Sequence, residues 1–283
     1  MALRNLTVTN PPPLAAVADH SLRQEVSSAR RAPVVRIEGL VKRLRRGVIA
    51  VDGVDLEIRR GEVWGLAGPN GSGKTLTLKM LLGLVRPTSG RVFLFGEPVR
   101  PGARVLGRVG ALVDGPGFVP HLSGLDNLRL AWRLTRRPAD EAGLKPALDY
   151  AALGEALHRP YSTYSHGMRY RLGFAQALLG RPELLVLDEP VTGLDPLHVR
   201  QLRAALAELV AGGTTVLMSS HVLGDVQEAC THAAVMQQGR VVASGRVPDL
   251  VARFGAGKSL EDAYVALVAG PGAAACAPGR SAR

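Results

Sequence analysis

The sequence predicts an α/β domain with a mainly parallel sheet, on three observations. Runs such as Val63-Trp64-Gly65-Leu66-Ala67 and Leu184-Leu185-Val186-Leu187 are apolar at every position, as strands buried on both faces require. Stretches with apolar residues at helical spacing separate these runs. A glycine-rich loop follows the first run and precedes the first such stretch, in the order strand, loop, helix.

Along the chain, residues 1–33 carry the triplet Pro11–Pro13 and no sustained periodicity, so they read as a disordered extension. Order begins at the β-branched run Val34-Val35-Arg36-Ile37. Val54-Asp55-Leu56-Glu57-Ile58-Arg59 alternates apolar and charged residues, the pattern of a half-exposed strand. After Val63–Ala67 and the glycines, Leu76, Met80, Gly83 and Leu84 mark a helix. Gly110 to Val113 is a further short strand, followed by the loop Gly115-Pro116-Gly117. Residues 123–158 read as helical, with Ser123 or Asp126 as cap and Leu125, Leu128, Leu130, Trp132 and Leu134 as apolar surface. Leu184–Leu187 and Thr214–Met218 are buried strands on either side of a helix bearing Leu202, Leu206, Leu209 and Val210. Val235 to Val242 reads as a hairpin. Gly257-Lys258-Ser259 looks like the end of a second glycine loop, but Ala252 stands where its first glycine is needed. That segment is a linker before a short last helix, and residues 256–283 end in a Gly-, Pro- and Ala-rich flexible tail.

Composition narrows the class. With 46% hydrophobic and 21% charged residues among 283, the chain can bury a core and is not disordered throughout. Its longest uncharged run, Ala263 to Gly279, has 17 residues and is broken by Gly270, Pro271, Gly272 and Pro278. A membrane-spanning helix needs about 20 apolar residues. The N-terminus shows no apolar export signal. Cys230 and Cys276, the two cysteines, exclude a disulfide framework and a cysteine zinc site. A soluble intracellular protein is expected. Its 35 Lys+Arg against 24 Asp+Glu give +11, with nine basic residues among the first 46. Such a surface suits an anionic membrane leaflet or nucleic acid, and charge alone does not choose between them.

Gly68-Pro69-Asn70-Gly71-Ser72-Gly73-Lys74-Thr75 matches the phosphate-loop pattern G-x-x-x-x-G-K-[ST] and runs on into Leu76. Glycines let successive backbone N–H groups turn inward, and side chains would block their approach to phosphate oxygens. The following helix aims its positive dipole end at the same anion. Lys74 adds a full charge for the β- and γ-phosphates, and Thr75 offers a hydroxyl to Mg²⁺. Asp188-Glu189 stands at the carboxyl end of a buried strand, where such sheets bind ligands. Asp188 suits a hydrated Mg²⁺, and Glu189 suits the polarisation of a water toward the γ-phosphate.

Further motifs narrow the family. Tyr164-Ser165-His166-Gly167-Met168, about twenty residues before Asp188, resembles the signature motif of ABC transporter ATPases. Gly193-Leu194-Asp195-Pro196 resembles their D-loop, and Ser219-Ser220-His221 their switch histidine. Each motif alone is weak; five in the family's order over about residues 34–245 are specific. The resemblance implies a P-loop NTPase with an ABC-type core over 34–255, an antiparallel β subdomain and a helical subdomain inserted over about 115–165. It implies ATP and Mg²⁺ as ligands, Glu189 and His221 as catalytic residues, and a homodimer. In that dimer Ser165, His166, Gly167 and Met168 reach the nucleotide held by the partner copy.

Four positions depart from the family, two of them in the signature, where His166 and Met168 replace the usual glycine and glutamine. Asp114, before Gly115-Pro116-Gly117-Phe118, stands where a glutamine is usual, which resembles the bacitracin and lantibiotic exporter branch. Its carboxylate is expected to touch the Mg²⁺ shell or to cap the next turn. Leu44 falls where an aromatic ring commonly stacks on adenine, so base recognition is weaker unless Arg45 or Arg46 stacks instead. The resemblance thus implies the ATPase subunit of an exporter, on the cytoplasmic face of the membrane, with a permease on a separate chain. Phe118, Val119 and Leu122 are the candidate exposed contact with that permease. An alternative is a soluble ABC-type ATPase acting on nucleic acid or ribosomes; without tandem ATPase domains or a long coiled-coil insertion, nucleic acid is the less expected partner.

Overall fold

The computed structural model describes residues 33–135 and 144–269, and these belong to one unit that begins at Pro33. The extension read over 1–33, apart from Pro33, and the tail beyond Ala269 lie outside the described residues. Two sheets organise the chain. The first is antiparallel, in the order β2-β1-β4-β5, from β1 (Val35–Arg43), β2 (Ile49–Ile58), β4 (Ser89–Leu94) and β5 (Glu97–Pro98). The second runs β10-β9-β3-β8-β7-β6 and is parallel except for its last hairpin. Its strands are β3 (Val63–Ala67), β6 (Val109–Leu112), β7 (Leu184–Leu187), β8 (Thr215–Ser220), β9 (His232–Gln237) and β10 (Arg240–Arg246).

The uniformly apolar strands have a geometric cause. Alternate side chains of a strand leave on opposite faces, and here each face meets its own core. Leu184 and Val186 of β7 and Leu217 of β8 join the first core, which packs against β1, β2, β4 and helix α1 (Lys74–Leu81). Leu185, Leu187, Val216 and Met218 point the other way. There they meet α4 (His166–Ala177), α5 (Pro196–Ala211), α6 (Leu223–Ala229), α7 (Val247–Phe254) and α8 (Leu260–Ala269). Each fully buried leucine contributes about 1.5–3 kcal/mol. A third cluster joins α2 (Gly124–Leu134), α3 (Lys145–Ala151) and α4 through Leu128, Trp132, Ala147 and Leu172.

Several expectations are corrected. The α1 stripe is not Leu76, Met80, Gly83 and Leu84: the helix stops at Leu81, Leu84 is exposed, and Leu78, Met80 and Leu81 are buried. Lying between two sheets, α1 buries more than one stripe. Residues 123–158 are not one helix. Among those described, α2 and α3 are followed by a left-handed Ala152 and a 3₁₀ turn at Gly154–His158. Ser123, not Asp126, caps α2, its Oγ accepting the Asp126 N–H at 3.1 Å. Leu128 and Trp132 are buried, whereas Leu130 and Leu134 are exposed.

Phe118, Val119 and Leu122 are half-buried rather than exposed. Buried Asn127 binds the loop back onto α2, its Oδ1 accepting the Val119 N–H at 2.8 Å and its Nδ2 donating to the Val119 carbonyl at 3.1 Å. Phe118 meets Tyr161 edge to face, with ring centroids 5.0 Å apart. Strand β4 gave no clear sequence signal because exposed Ser89, Gly90 and Arg91 open it.

Candidate functional site

The phosphate loop occupies the turn between β3 and α1. Gly68 (φ 150°) and Gly73 (φ 102°) make the cradle possible. A Cβ on Gly68 would stand 2.2 Å from the Met236 carbonyl oxygen, and one on Gly73 would stand 2.6 Å from that of Ala50. Both contacts are too close for any side chain, so only glycine closes this loop. Lys74, 5% exposed, donates from Nζ to the carbonyls of Gly68 (2.8 Å) and Pro69 (3.2 Å). The Ser72 hydroxyl is buried without a hydrogen-bond partner among the described residues. An orphaned hydroxyl and a lysine inside a ring of glycines fit a polyphosphate.

Strands β7 and β8 bring the acidic pair to the same place. Thr75 Oγ1 donates to Asp188 Oδ1 at 3.0 Å, and Ser219 Oγ donates to the same oxygen at 2.6 Å. Ser219 Oγ also accepts the Glu189 N–H at 2.9 Å, so one hydroxyl joins the Asp188 carboxylate to the Glu189 backbone. Glu189 adopts φ 48°, in the left-handed region. Its Oε1 lies 3.5 Å from Lys74 Nζ, and its Oε2 is 2.7 Å from His221 Nδ1 and accepts the His221 N–H at 3.3 Å.

Burial pushes the Glu189 carboxyl up. The hydrogen bonds from the His221 ring and backbone, with the charges of Lys74 and His221, outweigh that and hold it below the usual carboxylate range. Glu189 is therefore ionised near neutral pH and accepts only, so His221 Nδ1 carries the proton of that bond.

The other motif residues stand apart from this cluster. Ser165 caps α4, its Oγ accepting the Met168 N–H at 3.3 Å, and it is exposed with His166. Among the described residues, no hydrogen bond or ion pair joins Ser165, His166, Gly167 or Met168 to the phosphate loop. His166 lies against the D-loop instead, its Nε2 3.0 Å from where a Cβ of Gly193 would stand. Asp195 caps α5 by accepting the N–H groups of Leu197 and His198 at 3.0 Å each. The His198 backbone and ring hold its carboxyl below the usual range. Asp114 (φ 59°) forms an ion pair with Lys79 of α1 at 2.6 Å. Leu44 is 45% exposed beside the 3₁₀ turn Arg45–Gly47, which joins β1 to β2, and Ala50 of β2 abuts Gly73. Ser219 enters the sequence reading only as part of Ser219-Ser220-His221; buried β8 also carries the hydroxyls of Thr215 and Ser220, so nothing local singles Ser219 out as the one that meets Asp188.

This arrangement, a phosphate cradle beside two carboxylates at the ends of parallel strands, defines a nucleotide-hydrolysing fold. The ABC transporter family matches residues 51–192, and the chain belongs to that family. It is an ATP-binding subunit of an ABC transporter and an ATP hydrolase. The chain is 36% identical over 219 residues to the bacitracin transport ATP-binding protein BcrA of Enterococcus faecalis, covering 77% of this chain and 70% of that one. It is 37% identical over 216 residues to the Nod factor export ATP-binding protein I of Cupriavidus metallidurans, covering 75% and 71%. A solved ATP binding subunit of an ABC transporter superposes with a TM-score of 0.76 at 29% identity, covering 83% of this chain and 99% of that one. The fold is shared with the dimeric post-hydrolysis cassette MJ0796 bound to ADP and Pi, at a TM-score of 0.69 and 23% identity, covering 75% and 98%.

Proposed function

We propose that two copies of the chain hydrolyse ATP between them and thereby power a separate membrane permease that exports an antibiotic, peptide or drug-like substrate. One observation supports the shared site above the rest. Lys74, Thr75, Asp188, Glu189 and His221 form one connected cluster, while Ser165 sits on an exposed helix start with no hydrogen bond to that cluster among the described residues. A second copy is needed to bring Ser165, His166, Gly167 and Met168 to the γ-phosphate, with the α4 dipole behind them. Asp195, at the D-loop, lies on that same face in this reading.

The triphosphate lies along residues 68–76, with Lys74 on the β- and γ-phosphates. Thr75 and Asp188 are the donors that would hold Mg²⁺, a hard cation that takes one or two protein oxygens together with phosphates. Bound there, Mg²⁺ neutralises charge on the phosphate oxygens. Glu189 Oε2 is held by His221, and Oε1, 3.5 Å from Lys74 Nζ, orients the attacking water and receives its proton once Lys74 turns to the phosphates. A loose phosphoryl-transfer transition state asks little base strength of that carboxylate, so its lowered pKa is no handicap.

Export is supported by relatives named for bacitracin transport and Nod factor export and by the Asp114–Phe118 sequence. For the permease contact, the half-burial of Phe118 shifts attention to a groove of about 290 Å³ lined by Val109, Ala111, Ala131, Leu134 and Leu179. Leu134 is 76% exposed at its edge, and Leu130 is exposed on the same helix. No helix of the described residues is long and apolar enough to cross a membrane, consistent with a peripheral subunit on the cytoplasmic face.

Glu189→Gln tests the reading. Hydrolysis should fall by about 10²–10⁴-fold while ATP binding persists. Light scattering should then show the mass doubling when ATP is added. Unchanged hydrolysis would remove Glu189 from its role, and an ATP-loaded variant that stays monomeric would refute the shared site.

A further inference from the structure

A second cavity, separate from the phosphate loop, lies between α3 and α4 on one side and the D-loop and α5 on the other. It measures about 520 Å³, within the range of small-molecule sites. Three aromatic rings line it. Phe174 meets Tyr150 edge to face at 6.2 Å and stacks with Tyr170 at 6.5 Å, while Leu202 and Ala205 supply the facing wall from α5. The Tyr170 hydroxyl is buried and has no hydrogen-bond partner among the described residues, and that burial pushes its pKa far up. The ring of Tyr170 lines the cavity, while its hydroxyl is buried behind that lining.

Its charges are unequal. Arg171 is turned onto the Ala152 carbonyl at 2.9 Å, and His198 is held by Asp195 at 2.5 Å. Asp149 is paired with Lys145. Exposed Glu208 touches Tyr150 Oη at 3.4 Å and has no basic partner among the described residues. An unpaired carboxylate beside aromatic rings is complementary to a cation whose body is apolar.

We propose that this cavity binds a small organic cation, its ring or aliphatic body on Tyr150, Tyr170 and Phe174 and its ammonium group at Glu208. A ligand held there touches both α4, which Ser165 caps, and the D-loop residue Leu194, which precedes Asp195.

The test uses the full chain and three indole probes of similar size: tryptamine (cationic), tryptophol (neutral) and indole-3-propionate (anionic). By calorimetry, tryptamine should bind at least about tenfold more tightly than either of the others. Glu208→Gln should remove that preference while tryptophol binding stays as it was. Ala205→Phe, which fills the cavity, should abolish binding of all three. The ATP-induced shift in melting temperature should be unchanged in both variants, which reports folding and the nucleotide site independently of this one. Equal binding of the three probes, no binding of tryptamine, or tryptamine binding that survives both substitutions would overturn the proposal.

Discussion

Ser219 shows how one hydroxyl can organise a site. It donates to the Asp188 carboxylate and accepts from the Glu189 backbone, which joins the side chain of one acidic residue to the main chain of the next. Leu44 carries a separate consequence. It is exposed beside the turn whose following strand packs against Gly73 through Ala50. Leu44→Tyr should give adenine a ring to stack on and tighten ATP binding by about 1 kcal/mol, roughly fivefold in Kd. Calorimetry with ATP reads this directly. An unchanged Kd would mean that another residue contacts the base.

At the scale of elements, the edge strand β6 is held to β7 by more than its ladder. Glu183, just before β7, receives Arg108 Nε at 2.6 Å, and Arg108 Nη2 and Arg60 Nη2 at 3.0 Å each. The hydrogen bonds from Arg108, helped by Arg60, hold the Glu183 carboxyl down to about 2, against burial that pushes it up. The folded pKa lies below the ordinary 4.5, so the stabilisation is present above about pH 4.5 and is lost as pH falls toward about 2. With side chains more than a third exposed, solvent limits the contribution to about 0.2–1 kcal/mol. Urea denaturation should show Glu183→Gln less stable than the parent at pH 7, with the gap closing by pH 2. A gap that persists at pH 2 would exclude the ion pairs as its cause.

For the whole molecule, the exposed edge formed by Leu130 and Leu134 beside the groove at β6 is an apolar surface on a strongly basic chain. If the proposed permease contact is right, affinity capture of the tagged protein from detergent-solubilised cells should recover a polytopic membrane protein. Leu134→Asp should release that partner while leaving ATP binding intact. Recovery with nucleic acid instead would favour the alternative function. The fold also accounts for the cavity between α4 and α5, which local sequence does not reveal.

The sequence by itself determined whatever depends on spacing along the chain. The glycine loop, the acidic pair after an apolar strand and the final hairpin are encoded within a few residues, where backbone geometry and side-chain reach act locally; the structure chose Ser123 over Asp126 as the α2 cap. Tertiary structure alone decided which faces α1 buries, because two sheets enclose it. It alone decided that Asn127 draws Phe118 inward, that Ser219 bridges Asp188 and Glu189, and that Lys79 takes Asp114. Apart from the Asn127 contact, which spans eight residues, those contacts join residues far apart in sequence, and only the packing of strands and helices brings them together.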